Sequence, residues 1–337
     1  MNVLFCSVGR RCELLKDFRK SLGDKVRLVV TDNSPYAPAL AFADVSYQVP
    51  LIHDKSYIPI LLEICRREKI DAMLTLIDPE IAILAENREA FEALGVEVLV
   101  PYAETAKLCF DKYEMFCYLK EKGIPTVTTY GSFGAFEEAY DRGGISFPVF
   151  VKPRTGSGSV GARRIETMEM LKEVTAADST LIIQELMTGV DMDADIYVDT
   201  ISHKPVAVFS KKKLSTTIGG ANKTISFKDA DLFDFVKKAV SVFRFHGPLD
   251  MDLFYKDGQY YLSEVNPRFG GAYLHAYGAG VDFPQLIYRN VNKRENEENL
   301  GNYAEDVVMM MYDSVVIKGL KDIQDEMNTE YENCNTD

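Results

Sequence analysis

The chain has 337 residues, of which 47% are apolar and 26% charged, with no Trp and a formal net charge of -13. Such a composition describes a globular protein of two or three domains and excludes disordered, collagen-like and disulfide-stapled classes. From Val291 onward the chain holds 12 acids and 4 bases, so the acidity is concentrated in the tail. Neither part offers the basic face that nucleic acid requires.

The six cysteines (Cys6, Cys12, Cys65, Cys109, Cys117 and Cys334) form no C-x-x-C pair, and reduced thiols in a cytoplasmic protein are expected. No apolar run approaches the ~18 residues of a membrane span, and Met1-Asn2 leads straight into a strand, so neither a span nor a signal peptide is expected.

Asn2–Cys6 is an apolar strand, and Ser7-Val8-Gly9-Arg10-Arg11 turns into an amphipathic helix over Cys12–Leu22. Val26–Thr31 is a second buried strand. A helix over Tyr57–Lys69, a strand over Ala72–Leu76, a helix over Glu80–Ala93 and a short strand over Val96–Val100 follow. Alternating strands and helices of this kind predict a parallel sheet covered on both faces. The first turn, SVGRR, lacks G-x-G-x-x-G, so no dinucleotide site is read there despite Asp32 at the end of the second strand. Ser7, Gly9, Arg10 and Asp78 fall at carboxyl ends of strands, where such sheets bind ligands. Arg10 or Arg11 suits a carboxylate or phosphate.

Helices are predicted over Ala103–Leu108 and Asp111–Glu121. The strand Phe147–Pro153 carries Lys152 into Gly156-Ser157-Gly158-Ser159-Val160-Gly161. These glycines spell G-x-G-x-x-G, but a strand, Ala162–Ile165, follows them rather than a helix. A glycine flap between two strands instead folds backbone N–H groups over phosphates. A helix capped by Thr167 and an apolar strand over Thr180–Gln184 come next.

Asp191, Asp193 and Asp195 alternate along one strand face. Lys204–Leu214 is a strand on which Lys211 and Lys213 point the same way, and Lys211 is taken as the one facing a phosphate. Thr216–Thr224 reads as a loop over a second substrate, and Asp231–Arg244 as an amphipathic helix. Leu249–Tyr255 and Gln259–Val265 form a hairpin around Lys256-Asp257-Gly258. Closing it brings Asp252 to Glu264 and Asn266, with Asp250 on the same face. Two carboxylates and an amide oxygen suit Mg²⁺, which is commonly held by one or two carboxylates plus substrate phosphates. Helices over Ala272–Gly280 and Phe283–Asn290, a strand over Asp306–Ile317 and a weakly structured acidic tail complete the reading.

Asp252 followed, twelve positions on, by Glu264-x-Asn266-Pro267-Arg268 resembles the metal-binding end of the ATP-grasp superfamily. Lys112 opening a helix, Lys152 as the lysine of K-P-x-x-G-x-G-S-x-G, and Gln184-Glu185 resemble its other motifs in the same order. The resemblance implies an α/β chain: a Rossmann-like preceding domain (1–100), an ATP-grasp small lobe with its preceding helices (101–185), a large lobe (186–320) and an acidic tail (321–337).

It also implies residue roles. Lys112, Lys152, Gly156, Ser157, Gly158 and Ser159 would hold the ATP phosphates. Gln184, Glu185, Leu186 and Met187 would line the adenine hinge, and Asp191 would hold ribose. Asp252, Glu264 and Asn266 would bind Mg²⁺ or Mn²⁺, with two ions expected. The aspartate at 252, where many members carry glutamate, reaches less far. Arg268 and Lys211 would act on the transferring phosphoryl group, and Gly9, Arg10, Asn222, Gly270 and Gly271 would meet the second substrate.

The implied activity resembles that of carbamoyl-phosphate-synthase-like carboxylate–amine ligases. ATP phosphorylates a small-molecule carboxylate, and an amine then displaces phosphate. A phosphotransferase and a nucleotide sensor without turnover are the alternatives. Neither nucleic acid nor membrane is an expected partner, and a homodimer is left open.

Overall fold

The computed structural model describes residues 1–156, 161–217 and 220–328. Its first part alternates strand and helix. β1 (Asn2–Cys6), α1 (Cys12–Leu22), β2 (Arg27–Asp32), β3 (Val45–Gln48), α2 (Tyr57–Glu68), β4 (Ala72–Thr75), α3 (Asp78–Glu86), α4 (Arg88–Glu92) and β5 (Glu97–Val98) follow in order. The strands lie parallel in the order β3-β2-β1-β4-β5.

Side-chain alternation along these strands explains why both faces are covered. Val3, Phe5, Leu28 and Val30 meet Leu14, Leu15 and Phe18 of α1. Leu4, Cys6, Val29 and Met73 meet Leu61 and Ile64 of α2 and Phe91 of α4. The short β3 has the sequence Val-Ser-Tyr-Gln, too brief and too polar to stand out as a strand.

α5 (Ala103–Phe110) and α6 (Lys112–Glu121) lead to a second sheet made of β6 (Thr129–Tyr130), β7 (Val149–Pro153), β8 (Arg163–Ile165) and β9 (Leu181–Glu185), ordered β6-β9-β7-β8. α7 (Phe133–Asp141) and α8 (Met168–Ala177) back it through Phe136 and Leu171, which pack on Val149, Val151, Ile165 and Ile183. Thr167 caps α8 by accepting from the Met170 amide, as its position in the sequence predicts.

The third sheet is antiparallel. β10 (Val190–Val198), β11 (Pro205–Thr217), β12 (Gly220–Phe227), α9 (Ala230–Ser241), β13 (Gly247–Lys256), β14 (Gln259–Asn266), α10 (Tyr273–Gly278), α11 (Phe283–Val291) and β15 (Val308–Met310) occur in that order. The strands are arranged β14-β13-β10-β11-β12-β15. Met192, Ala194, Ile196, Leu249, Met251 and Leu253 form an apolar face under Leu232, Val236 and Val240 of α9. The alternate residues of the same strands, many of them charged, occupy the opposite face.

Two expectations are corrected. Of Thr216–Thr224, expected as a loop, the described residues 216–217 and 220–224 belong to the paired strands β11 and β12, with Ser215 opposite Lys223 and Thr216 opposite Ala221, and residues 218–219 lie outside the described residues. Its threonines are β-branched and suit a pleated strand. The last strand is also shorter than Asp306–Ile317, and the segment after it is structured: α12 (Leu320–Glu326) leads to β16 (Met327–Asn328), which pairs in parallel with Ser46 and Tyr47 of β3. Residues 320–328 therefore extend the first sheet, a long-range pairing that local composition does not encode. Cys6, Cys65 and Cys109 are buried free thiols, as expected, whereas Cys117 is exposed. No helix among the described residues is long and apolar enough to cross a membrane.

Candidate functional site

The antiparallel register sets the acids of the third sheet side by side. Asp193 faces Asp252 and Asp195 faces Asp250 between β10 and β13, while Asp250 faces Asn266 and Asp252 faces Glu264 between β13 and β14. Lys211 and Lys213 arrive from β11. The Lys213 ammonium lies 2.9 Å from Asp191, 2.7 Å from Asp193 and 2.6 Å from Asp252. Burial would depress it, but Asp252, Asp193 and Asp191 outweigh that and hold it above the ordinary lysine value.

Burial, reinforced by the opposing Asp252, pushes the Asp193 carboxyl well up. Asp252 is driven the other way: burial alone would raise it, but Lys213 and a hydrogen bond from Asp193 pull it below the carboxylate range. Two carboxyls directly opposite each other thus divide into one acid and one carboxylate. Asn266 Nδ2 donates to Asp252 at 3.2 Å and to Asp250 at 3.3 Å.

Lys211 is placed differently from the expectation. It does point to the same face as Lys213, but it is fully buried and closed off by Asp195 at 2.5 Å, with Asp250 at 3.9 Å. Asp250 is pushed up to about 7, chiefly by burial. Lys213, not Lys211, reaches the acids nearest Glu264. Alternation puts the two lysines on one face but does not say how deep each lies.

Cations from outside the sheet converge on Glu264. Asp111 caps α6 by accepting from the Tyr113 and Glu114 amides and is gripped by Arg154 Nε at 2.8 Å. The Lys112 amide donates to the Arg154 carbonyl at 3.0 Å. The start of α6 is thereby tied to the end of β7. Lys112 Nζ donates to the Gly156 carbonyl at 2.5 Å and stands 3.7 Å from Glu264 Oε1, while Lys152 Nζ stands 3.4 Å from Oε2. Burial lowers the Lys112 ammonium despite Glu264. Gly156 has φ +101°, a left-handed backbone that favours glycine. A cleft beside these groups is lined by Asp78, Cys109, Gly156, Glu264, Asn266 and Pro267.

The carboxyl ends of the first sheet close the other side. Arg268 donates to Asp78 at 2.9 Å. Arg11 donates to the carbonyls of Gly270 at 2.9 Å and Phe269 at 3.4 Å, and burial brings its pKa down to about 10. Gly270 is needed for this approach, because a Cβ there would lie 2.7 Å from Asp195 Oδ1 and 3.0 Å from Asp250 Oδ1. Gly271 follows directly.

Other expected residues sit apart from Glu264. Arg10 is 84% exposed and pairs with Asp313, so Arg11 and not Arg10 is the inward guanidinium. The Gly9 amide donates to Asp32, and Asn222 lies on β12, its carbonyl accepting from the Met311 amide. Gln184 is buried and donates to Thr129, and Glu185 accepts from the Thr128 amide at 2.9 Å, with Leu186 and Met187 next in the chain. Ser157, Gly158 and Ser159 lie outside the described residues. Asp193, Asp195 and Lys213 enter the site without having been singled out, and strand alternation was the signal for all three.

Among the described residues, no three Asp, Glu, His or Cys side chains are spaced to hold a metal ion as they stand. The donor chemistry of Glu264 nonetheless suits a hard cation. Among the described residues its oxygens meet lysines at 3.4 and 3.7 Å, beyond the ~2.7–2.9 Å of a closed charge-assisted bond.

Residues 3–99 match the family described as PylC-like, N-terminal domain, and residues 109–272 match the ATP-grasp domain. An ATP-grasp domain thus spans residues 109–272, preceded by the parallel-sheet domain. It is 29% identical over 169 residues to the formate-dependent phosphoribosylglycinamide formyltransferase of Sulfolobus acidocaldarius, covering 48% of this chain and 40% of that enzyme. It is 24% identical over 254 residues to a D-alanine–D-alanine ligase of Bacillus anthracis, covering 67% and 84%. Its fold matches N5-carboxyaminoimidazole synthetase from Staphylococcus aureus complexed with ADP, with a TM-score of 0.73 and 16% identity over 92% of this chain and 81% of that one.

Proposed function

We propose that this chain is an ATP-dependent ligase that joins a small-molecule carboxylate to an amine and releases ADP and phosphate. The observation that carries the reading is the convergence of Lys112, from the start of α6, and Lys152, from β7, on Glu264 of the acidic sheet. The names of the matched relatives, a formyltransferase and a ligase, and the ADP in the matched structure support the same reading.

In this reading residues 1–100 hold the second substrate, residues 101–185 supply the lysines and the glycine loop, and residues 186–320 supply the acidic sheet. Lys112 and Lys152 bind the nucleotide phosphates, and Arg268 acts on the transferring phosphoryl group. Glu185 and the backbone of Leu186 and Met187 meet adenine, and Asp191 meets ribose. Glu264 and Asn266, with Asp252 beside them, would hold Mg²⁺, which offsets phosphate charge when bound.

A substrate carboxylate oxygen attacks the γ-phosphorus, and the bond to the β-phosphate bridging oxygen breaks to release ADP. The amine nitrogen then attacks the acyl carbon of the acylphosphate, phosphate departs, and the nitrogen loses its proton. Loop 156–161 excludes water, which would otherwise hydrolyse the intermediate.

The test is to incubate the protein with ATP, Mg²⁺ and panels of carboxylates with and without amines, measuring ADP and phosphate and trapping acylphosphate with hydroxylamine. ADP release that requires a carboxylate, with a hydroxamate formed, is the expected result. A product that keeps the phosphoryl group identifies a phosphotransferase. ADP binding with no turnover on any pair identifies a sensor, and release of AMP and pyrophosphate refutes phosphoryl transfer.

A further inference from the structure

We propose that Lys213 takes the place of a second divalent cation, so that the site holds one metal ion per bound nucleotide, at Glu264. The inference rests on the nucleotide-binding reading above and goes further by assigning the ion count and the residue that sets it.

An ammonium has three N–H donors. That of Lys213 lies among three acids, 2.9 Å from Asp191, 2.7 Å from Asp193 and 2.6 Å from Asp252, and donates to Asp252 Oδ1. Ringed by these acids, Lys213 is engaged with the sheet. It differs in this from Lys112 and Lys152, whose contacts to Glu264 are long. Asp252 is engaged in turn: Oδ1 accepts from Lys213 at 2.6 Å and Oδ2 from Asn266 Nδ2 at 3.2 Å.

Side-chain length reinforces this. Aspartate is one methylene shorter than glutamate, so the carboxylate at 252 stays near the sheet, within reach of a lysine that spans β10 from β11. Glu264, opposite it on β14, extends further and is approached only by the lysines of other elements. A divalent ion between Asp252 and Glu264 would have to displace a side chain that is 89% buried by exposure, the figure for Lys213 being 11%, and would face that ammonium at close range.

The experiment counts Mn²⁺ by electron paramagnetic resonance during titration of the full chain at saturating β,γ-imido-ATP, with analogue binding measured in parallel by calorimetry. One Mn²⁺ per chain in the wild type is expected, and two would overturn the proposal. Lys213→Met should raise the count to two by freeing Asp191, Asp193 and Asp252, whereas a folded variant that still binds one ion overturns the role given to Lys213. If the variant fails to fold, the wild-type count decides alone. Absence of analogue binding, with or without Mn²⁺, refutes the nucleotide reading itself and is distinct from an analogue-bound chain carrying two ions.

Discussion

Asp195→Asn removes the charge that faces Lys211 at the centre of the third sheet. Lys211 and Asp195 are 0% and 1% exposed, so the ammonium would stay desolvated with its nearest partner gone. Stripping one member from a buried pair costs roughly 3–5 kcal/mol, because an uncompensated charge remains. The lower end applies here. Asp250 lies 3.9 Å from Lys211, and its carboxyl, held up to about 7, ionises in place of Asp195. At the ~2 °C per kcal/mol expected of a long chain, ~3 kcal/mol lowers Tm by about 6 °C. Thermal melts at pH 7 of Asp195→Asn, Lys211→Met and the double variant measure this and the coupling between the two positions. The double variant should melt above Asp195→Asn, since it buries no unpaired ammonium. A Tm for Asp195→Asn within about 2 °C of wild type, the scale of a hydrated surface pair, would refute the reasoning.

Gly189→Ala would set a Cβ 2.2 Å from the Tyr255 carbonyl oxygen, and the strain should cost about 1–3 kcal/mol in urea denaturation. Gly278→Ala, with nothing within 4 Å, should be neutral or stabilising, and equal effects at both positions would contradict the packing described. His275 Nε2 donates to the Val307 carbonyl at 2.9 Å, so Nδ1 accepts from Thr224 at 2.7 Å and the ring is neutral; burial lowers its pKa from 6.5 to about 4. The folded state binds this proton less readily than the unfolded chain, so the stability it contributes is intact above pH 6.5 and is lost as pH falls toward 4. The stability gap between wild type and His275→Gln should therefore narrow over that window, and a constant gap would exclude the buried neutral ring. Deleting residues 320–337 should speed amide hydrogen exchange in β3, whose Ser46 and Tyr47 pair with β16, and leave β10 and β13 protected; unchanged exchange in β3 would show that β16 does not cover that edge.

The order of local motifs along the chain carried the resemblance to the ATP-grasp domain matched over residues 109–272, and period-2 alternation determined which side chains of β10, β11, β13 and β14 share a face. Both are properties of neighbours in sequence, so they are legible there. The hairpin linking Asp252 to Glu264 and the cap at Asp111 belong to the same class. What lay beyond the sequence was depth and distant pairing. Lys211 and Lys213 are equivalent by alternation, yet one is sealed against Asp195, where Gly270 packs closely, and the other spans Asp191, Asp193 and Asp252. Arg10 and Arg11 are adjacent and chemically identical, and only the approach of Gly270 to the first sheet turns Arg11 inward. The pairing of residues 327–328 with β3 joins segments far apart in the chain. Its strand is two residues long, so its hydrogen bonds come from the tertiary fold that delivers it to an open edge and not from any propensity of its own.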